Sequence, residues 1–148
     1  MTTAIVYYSR HHGNTKKLLD AIAAKHDVLL VDVMDEKRVD LTDVDRIGFA
    51  SGIYYGHFAK QILTFAEEQL LSGKDVFFIA TCGGPRKGYF DAMRNIAELK
   101  NCRVLGEYMC LGFDTFGPFK LVGGLAKGHP TQEEIDGAVA FYEGLDAK

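Results

Sequence analysis

The chain has 148 residues, 47% of them hydrophobic and 25% charged, with 17 Lys and Arg against 20 Asp and Glu for a formal charge of −3. Those proportions exclude a disordered, collagen-like or repetitive chain, and the absence of surplus positive charge argues against a dedicated nucleic-acid binder. The length is expected to form a single domain, residues 1–148, with a sizeable buried core.

The first element is a run of strand formers, Ala4–Tyr8, closed by Ser9. The spacing of Leu18, Ala21 and Ile22 then predicts a helix over 15–26. A second strand is predicted over 28–33, followed by a short polar stretch (34–45) with room for one turn of helix. Ile47, Phe49 and Ala50 mark a third strand over 46–51. Phe58, Ile62, Phe65 and Ala66 share one stripe of a helix over 58–71. Val76, Phe77, Phe78 and Ile79 form a fourth strand over 75–81, and a helix over 89–100 carries Phe90, Met93, Ile96 and Ala97. The fifth strand, 102–111, is interrupted by Gly106 and Glu107. Cys102 and Cys110 are eight apart along it, which puts both on one face as core filling. Ile135, Ala138, Val139, Tyr142 and Leu145 give an amphipathic helix over 132–145. Pro130 and Thr131, followed by Glu133 and Glu134, mark its start.

Continuous apolar runs fit strands buried on both faces, and their alternation with helices predicts a parallel sheet. The expected fold is α/β, doubly wound, five-stranded and parallel, in the order 2-1-3-4-5. Such sheets bind ligands at the carboxyl ends of their strands, where the chain order reverses.

Three loops fall at those ends. After the first strand come Ser9, Arg10, His11, His12, Gly13, Asn14 and Thr15, directly before a helix. Hydroxyls, Gly-Asn and the positive end of the helix suit a phosphate; the alternative is an ordinary capped turn. After the third strand come Ser51, Gly52, Ile53, Tyr54, Tyr55, Gly56 and His57, where two tyrosines between glycines suit a flat aromatic ligand or pack against the next helix. After the fourth come Thr81, Cys82, Gly83 and Gly84, which leave amides free at a ligand's edge or form a plain turn. Taken together they suggest a mononucleotide with a phosphate tail and a planar heterocycle.

These residues resemble a short-chain flavodoxin. That family carries Ser/Thr-x-Thr-Gly-Asn-Thr after its first strand; Gly13-Asn14-Thr15 matches the second half and Ser9 stands at its head. Gly48-Phe49-Ala50-Ser51-Gly52 and Thr81-Cys82-Gly83-Gly84 match the family's second and third flavin loops, so the likeness spans the whole chain. It implies FMN held non-covalently by the three loops, and transient electron transfer between redox partner proteins, a reductase and an acceptor. The Gly52–Gly56 segment would present or withdraw a carbonyl near the flavin N5. The first loop departs from the pattern in being one residue longer, with His11 and His12 in place of a Thr, so that charge from Arg10 and the histidines is expected to assist. With no Trp in the chain, Tyr54 or Tyr55 must stack on the ring, and Gly112–Gly128, with Phe113, Phe116 and Phe119, folds over the flavin, forms a partner surface, or is a packed irregular loop.

The acidic cluster of a signalling receiver domain, the Cys-x5-Arg of a small phosphatase and the Gly-x4-Gly-Lys-Ser/Thr of a nucleotide hydrolase are all missing. The alternative to a carrier is an NAD(P)H-dependent or quinone/protoporphyrinogen-type oxidoreductase on the same scaffold; no catalytic residue is marked for it. Three Cys give no disulfide framework, and no Cys/His spacing fits zinc. Cys82 is expected to be a small buried thiol, and His26, His57 and His129 to be solvated. With no signal-peptide pattern after Met1 and no apolar run near the ~18 residues of a membrane span, the expected setting is the reducing cytoplasm.

Overall fold

The computed structural model describes residues 1–10, 12–113, 124 and 126–147. Its frame comes from three strands whose side chains are buried on both faces: β1 (Thr3–Tyr8), β3 (Arg46–Tyr54) and β5 (Asp75–Cys82). The shorter β2 (Leu29–Asp32) pairs with β1, and β6 (Arg103–Leu111) pairs with β5. All four of these interfaces are parallel, and the order is β2-β1-β3-β5-β6. Counted over the five long strands, this is the 2-1-3-4-5 order that the sequence predicts. The sixth strand, β4 (His57–Phe58), pairs antiparallel with the end of β3.

Alternation along the strands divides the core in two. Val6, Ile47, Phe49, Val76 and Phe78 face one way, against α2 (Lys60–Gln69) and α3 (Asp91–Leu99). Ile5, Tyr7, Ala50, Phe77 and Ile79 face the other way, against α1 (Asn14–Lys25) and α4 (Gln132–Gly144). Packing at the centre is close: a Cβ placed on Gly48 of β3 would lie 2.4 Å from the Phe77 ring on β5. Only glycine fits there. The 34–45 connection forms turns without a helix. No described helix is long and apolar enough to cross a membrane.

Two expectations change. Phe58, expected in a helix, lies in β4, and α2 begins two residues later. The even spacing of Cys102 and Cys110 does not put them on one face. Val76 pairs with Val104 but Phe77 pairs with Gly106, which leaves Leu105 as an extra residue in β6. This bulge reverses the alternation, so Cys102 packs with the α2–α3 side and Cys110 with the α1–α4 side.

The start of α4 is fixed from several directions. Thr131 Oγ1 accepts from the Glu134 N–H (3.2 Å), and Glu134 Oε1 accepts from the Thr131 N–H (2.8 Å), a reciprocal capping box. Glu134 Oε2 also accepts from the Leu111 N–H at the end of β6 (3.2 Å). One carboxylate therefore holds a helix start and a strand end together.

Candidate functional site

The loop after β1 turns sharply. His12 and Gly13 both adopt positive φ, 59° and 65°, and Gly13 stands at the N-cap of α1 without a side chain to cap it. The cap comes instead from upstream, where Ser9 Oγ accepts from the Lys16 N–H at 3.0 Å. The first intrahelical bond runs from Lys17 N–H to the Gly13 carbonyl; with the Lys16 amide taken by Ser9, the Asn14 and Thr15 amides have no acceptor among the described residues, at the positive end of a helix with no acidic residue in its first turn. Asn14 and Thr15 are buried. The Thr15 and Thr81 hydroxyls lie 2.9 Å apart and tie this loop to the end of β5.

The second loop is a hairpin. β3 continues to Tyr54, Ile53 pairs with Phe58 and Tyr54 with His57, and the chain turns on Tyr55 and Gly56. Both turn residues have positive φ, 52° and 85°, the signature of a two-residue primed turn. The Tyr54 ring packs edge-on against Tyr8 at 5.8 Å, while Tyr55 at the tip is 83% exposed. Ser51 is fully buried; its hydroxyl donates to the Gly52 carbonyl (2.6 Å) and accepts from the Ala59 N–H (2.9 Å). It anchors the hairpin to the start of α2.

At the end of β5, Cys82 is buried and its thiol donates to the Cys110 carbonyl at 3.7 Å. The Tyr89 hydroxyl donates to the Gly84 carbonyl at 2.8 Å, which closes the third loop.

A fourth segment completes the rim. The Gly112 N–H donates to the Cys82 carbonyl and the Phe113 N–H to the His129 carbonyl, both at 2.9 Å. The Phe113 ring stacks on His12, with centroids 4.4 Å apart and planes 24° from parallel. The Phe113 carbonyl accepts from Asn14 Nδ2 at 2.8 Å. A Cβ on Gly112 would come within 2.8–2.9 Å of three Asn14 atoms, so glycine is what lets the strand end lie against the first loop.

Between these segments lies a narrow crevice lined by Ser9, Asn14, Thr15, Gly52, Ile53, Tyr54, Thr81, Cys82, Gly83, Gly112 and Phe113. None of these residues carries a formal charge. Asn14, one of the lining residues, has its Oδ1 buried without a hydrogen-bond partner among the described residues.

The other expected site residues lie around this crevice. Arg10 pairs with Asp32 at 3.1 Å, over the end of β2. Ser51, Tyr55, Gly56 and Gly84 shape the loops from behind or from the tip, and His11 lies outside the described residues. Of Gly112–Gly128, residues 114–123 and 125 also lie outside them. Gly112 and Phe113 belong to the Gly112–Gly128 segment that the sequence offers as a cover over the flavin, a partner surface or a packed loop; their place in the rim comes from β6 lying beside β5. The three histidines expected to be solvated are all half-buried and engaged: His26 with Glu143, His57 with the Phe58 carbonyl and His129 with Glu134.

Burial pushes the Cys110 thiol up to about 12, with the charges of Glu134 and Cys82 adding to the effect. Burial also opposes ionisation of Glu134. The N–H groups of Thr131 and Leu111, together with His129, outweigh it and hold that carboxyl below its ordinary value.

A family model for the flavodoxin domain matches residues 5–102. An uncharacterized protein of Methanocaldococcus jannaschii is 35% identical over 150 residues, 98% of each chain. Among solved structures, flavodoxin 2 of Bacillus cereus superposes with a TM-score of 0.66 at 17% identity, over 99% of both chains. A flavoprotein of Lactobacillus acidophilus in complex with FMN gives 0.60 at 21% identity, over 73% of this chain and 92% of its own. At these identities the two structures speak for the fold.

Proposed function

Because this chain belongs to the flavodoxin domain family, we propose that it binds FMN in the rim crevice and carries electrons between redox partner proteins in the cytoplasm. One observation carries the cofactor: Asn14, which lines the crevice with Thr15, has a buried Oδ1 without a partner next to the Asn14 and Thr15 amides at the start of α1. A buried acceptor without a donor costs about 1–3 kcal/mol. A ligand that brings both an anion for the amides and a hydroxyl for the carbonyl oxygen satisfies the two needs at once. The phosphate and the ribityl chain of FMN supply them, and the residues present fit the group.

The first-turn amides and the Ser9 and Thr15 hydroxyls would hold the phosphate, a cradle of neutral donors. Asn14 Oδ1 would accept from a ribityl hydroxyl. Gly52–Tyr54, Cys82 and Gly83 would border the ring, with Tyr54 held edge-on by Tyr8. The bound flavin supplies the redox chemistry; the protein orients it and sets its surroundings. A crevice without a formal charge disfavours an anionic ring.

The test begins with the visible spectrum of the purified protein, followed by anaerobic addition of NADH or NADPH. A yellow protein that these reductants leave unbleached is expected. Rapid bleaching with turnover of a quinone would replace the carrier with an oxidoreductase. A colourless protein that refuses added FMN would end both.

A further inference from the structure

We propose that the α2–α3 side of the rim is a cationic docking surface for an acidic redox protein. The proposal rests on the electron-carrier reading above. It starts from a mismatch of sign: the whole chain is negative at −3, yet the exposed charges at the start of α2 and in the third loop, Lys60, Arg86 and Lys87, are positive.

The surface is built where the hairpin and the third loop meet. Phe58 of β4 and Phe90 before α3 pack with ring centroids 5.7 Å apart, which sets the first turn of α2 beside the turn preceding α3. Lys60 opens α2, and Arg86 and Lys87 lie in the third loop; all three are exposed, and none has an ion-pair partner among the described residues. The carboxylates beside Arg86 and Lys87 are Asp91 and Glu107, and Arg94 engages both; beside Lys60, Glu68 lies two turns further along α2, toward Lys37 and Arg38. Between the cations and the strand ends lies a shallow depression with Pro85, Phe90 and Met109 on its surface.

The opposite end of the sheet has the reverse character. Asp27, Asp43, Glu67 and Glu98 lie at the lower ends of α1, β3, α2 and α3, and none of them has an ion-pair partner among the described residues. Of the lysines there, Lys74 Nζ donates to the Thr42 and Val44 carbonyls and Lys100 Nζ to the Leu70 carbonyl, which leaves Lys25 as an exposed lysine without an ion-pair partner among the described residues. Such a molecule is oriented in the field of a partner. An acidic protein meets attraction at the crevice side and repulsion at the far end, and so arrives with its electron donor or acceptor toward the flavin.

Two measurements test this. In the first, FMN-loaded protein is fully reduced with dithionite, freed of excess reductant, and reoxidised in stopped flow by ferricyanide or by hexaamminecobalt(III). Each ion takes one electron, so two are consumed per flavin. With a local positive field, the ferricyanide rate falls several-fold as salt is raised from about 20 to 300 mM, and the cationic oxidant speeds up. The net charge of the chain alone gives the opposite signs. The variant Lys60→Glu/Arg86→Glu/Lys87→Glu reverses both slopes, whereas Lys25→Glu, at the far end of α1, leaves them unchanged. A ferricyanide rate that is flat or rises with salt, or equal effects from Lys25→Glu, overturns the proposal.

The second measurement does not need flavin. A plant-type [2Fe–2S] ferredoxin, an acidic protein, is titrated into ¹⁵N-labelled protein, with basic cytochrome c as the control. The expected shifts fall on the amides of Lys60, Arg86, Lys87 and Gly88, and weaken in salt. Shifts at the far end, or with cytochrome c alone, refute the surface. If FMN fails to bind while these amides respond to ferredoxin, the carrier reading fails and the docking surface stands.

Discussion

Asn14 is the residue on which the apo and ligand-bound forms should differ most, and Asn14→Ala separates them. Without a ligand, the variant loses the bond from Nδ2 to the Phe113 carbonyl, worth about 0.5–1.5 kcal/mol. It also removes a buried acceptor that has no partner, which relieves about 1–3 kcal/mol. The two effects oppose each other and leave the apo protein between about 0.5 kcal/mol less and about 2.5 kcal/mol more stable than the parent, at about 2–4 °C in Tm per kcal/mol for a chain of this length. With ligand, the variant can no longer accept the ribityl hydroxyl. A lost hydrogen bond of about 1.4 kcal/mol is a tenfold weaker Kd. Quenching of FMN fluorescence measures the affinity, and melts with and without saturating FMN measure the two stabilities. The expected pattern is an apo Tm close to or above that of the parent, with a reduced gain from FMN. An unchanged Kd together with a collapse of apo stability would make Asn14 a purely structural residue and would refute the reasoning.

Gly48→Ala forces a methyl to 2.4 Å from the Phe77 ring, and overpacking of this kind costs about 1–3 kcal/mol; urea unfolding should show the loss, and Phe77→Leu in the same chain should recover part of it. Glu134→Gln should remove stability selectively at neutral pH. The folded carboxyl lies below its ordinary value, so its contribution is complete above about 4.5, the unfolded value, and disappears as pH falls through the folded one. Melts from pH 7 to pH 3 should therefore show the parent and variant converging on the acid side. Iodoacetamide at pH 8 should label Cys102 well before Cys110, because burial keeps the latter protonated with its pKa near 12; peptide mapping by mass spectrometry would read the order, and early labelling of Cys110 would contradict it.

The strands and helices were legible where burial is simple. Runs such as Val76–Ile79 and stripes such as Ile62, Phe65 and Ala66 need no knowledge of neighbours, and the sheet order followed from their alternation. The hairpin was harder to see. Its turn is Tyr55-Gly56 rather than the Asn-Gly pair that marks such turns most strongly, and Phe58 satisfies a helical stripe as well as the two-residue β4. The cysteine pair was misread because a bulge leaves no trace in a count of residues. At the rim, Ser9, Asn14, Thr15, Gly52, Thr81 and Gly83 could be named from their positions after strand-forming runs. Ser51 belongs to the same run, but its hydroxyl is taken up by the Gly52 carbonyl and the Ala59 amide. The site role of Gly112 depends on lateral pairing of two strands almost thirty residues apart, which no local pattern records.

The bulge at Leu105 also says where this sheet tolerates a change of length. Removing Leu105 would leave Val104 opposite Val76 and Gly106 opposite Phe77, the partners they already have. A deletion at any other interior position of β3, β5 or β6 would turn the residues beyond it inside out. Related chains with one residue fewer in this strand should therefore have lost it between Arg103 and Gly106, with the crevice at the far end of the strand left where it is.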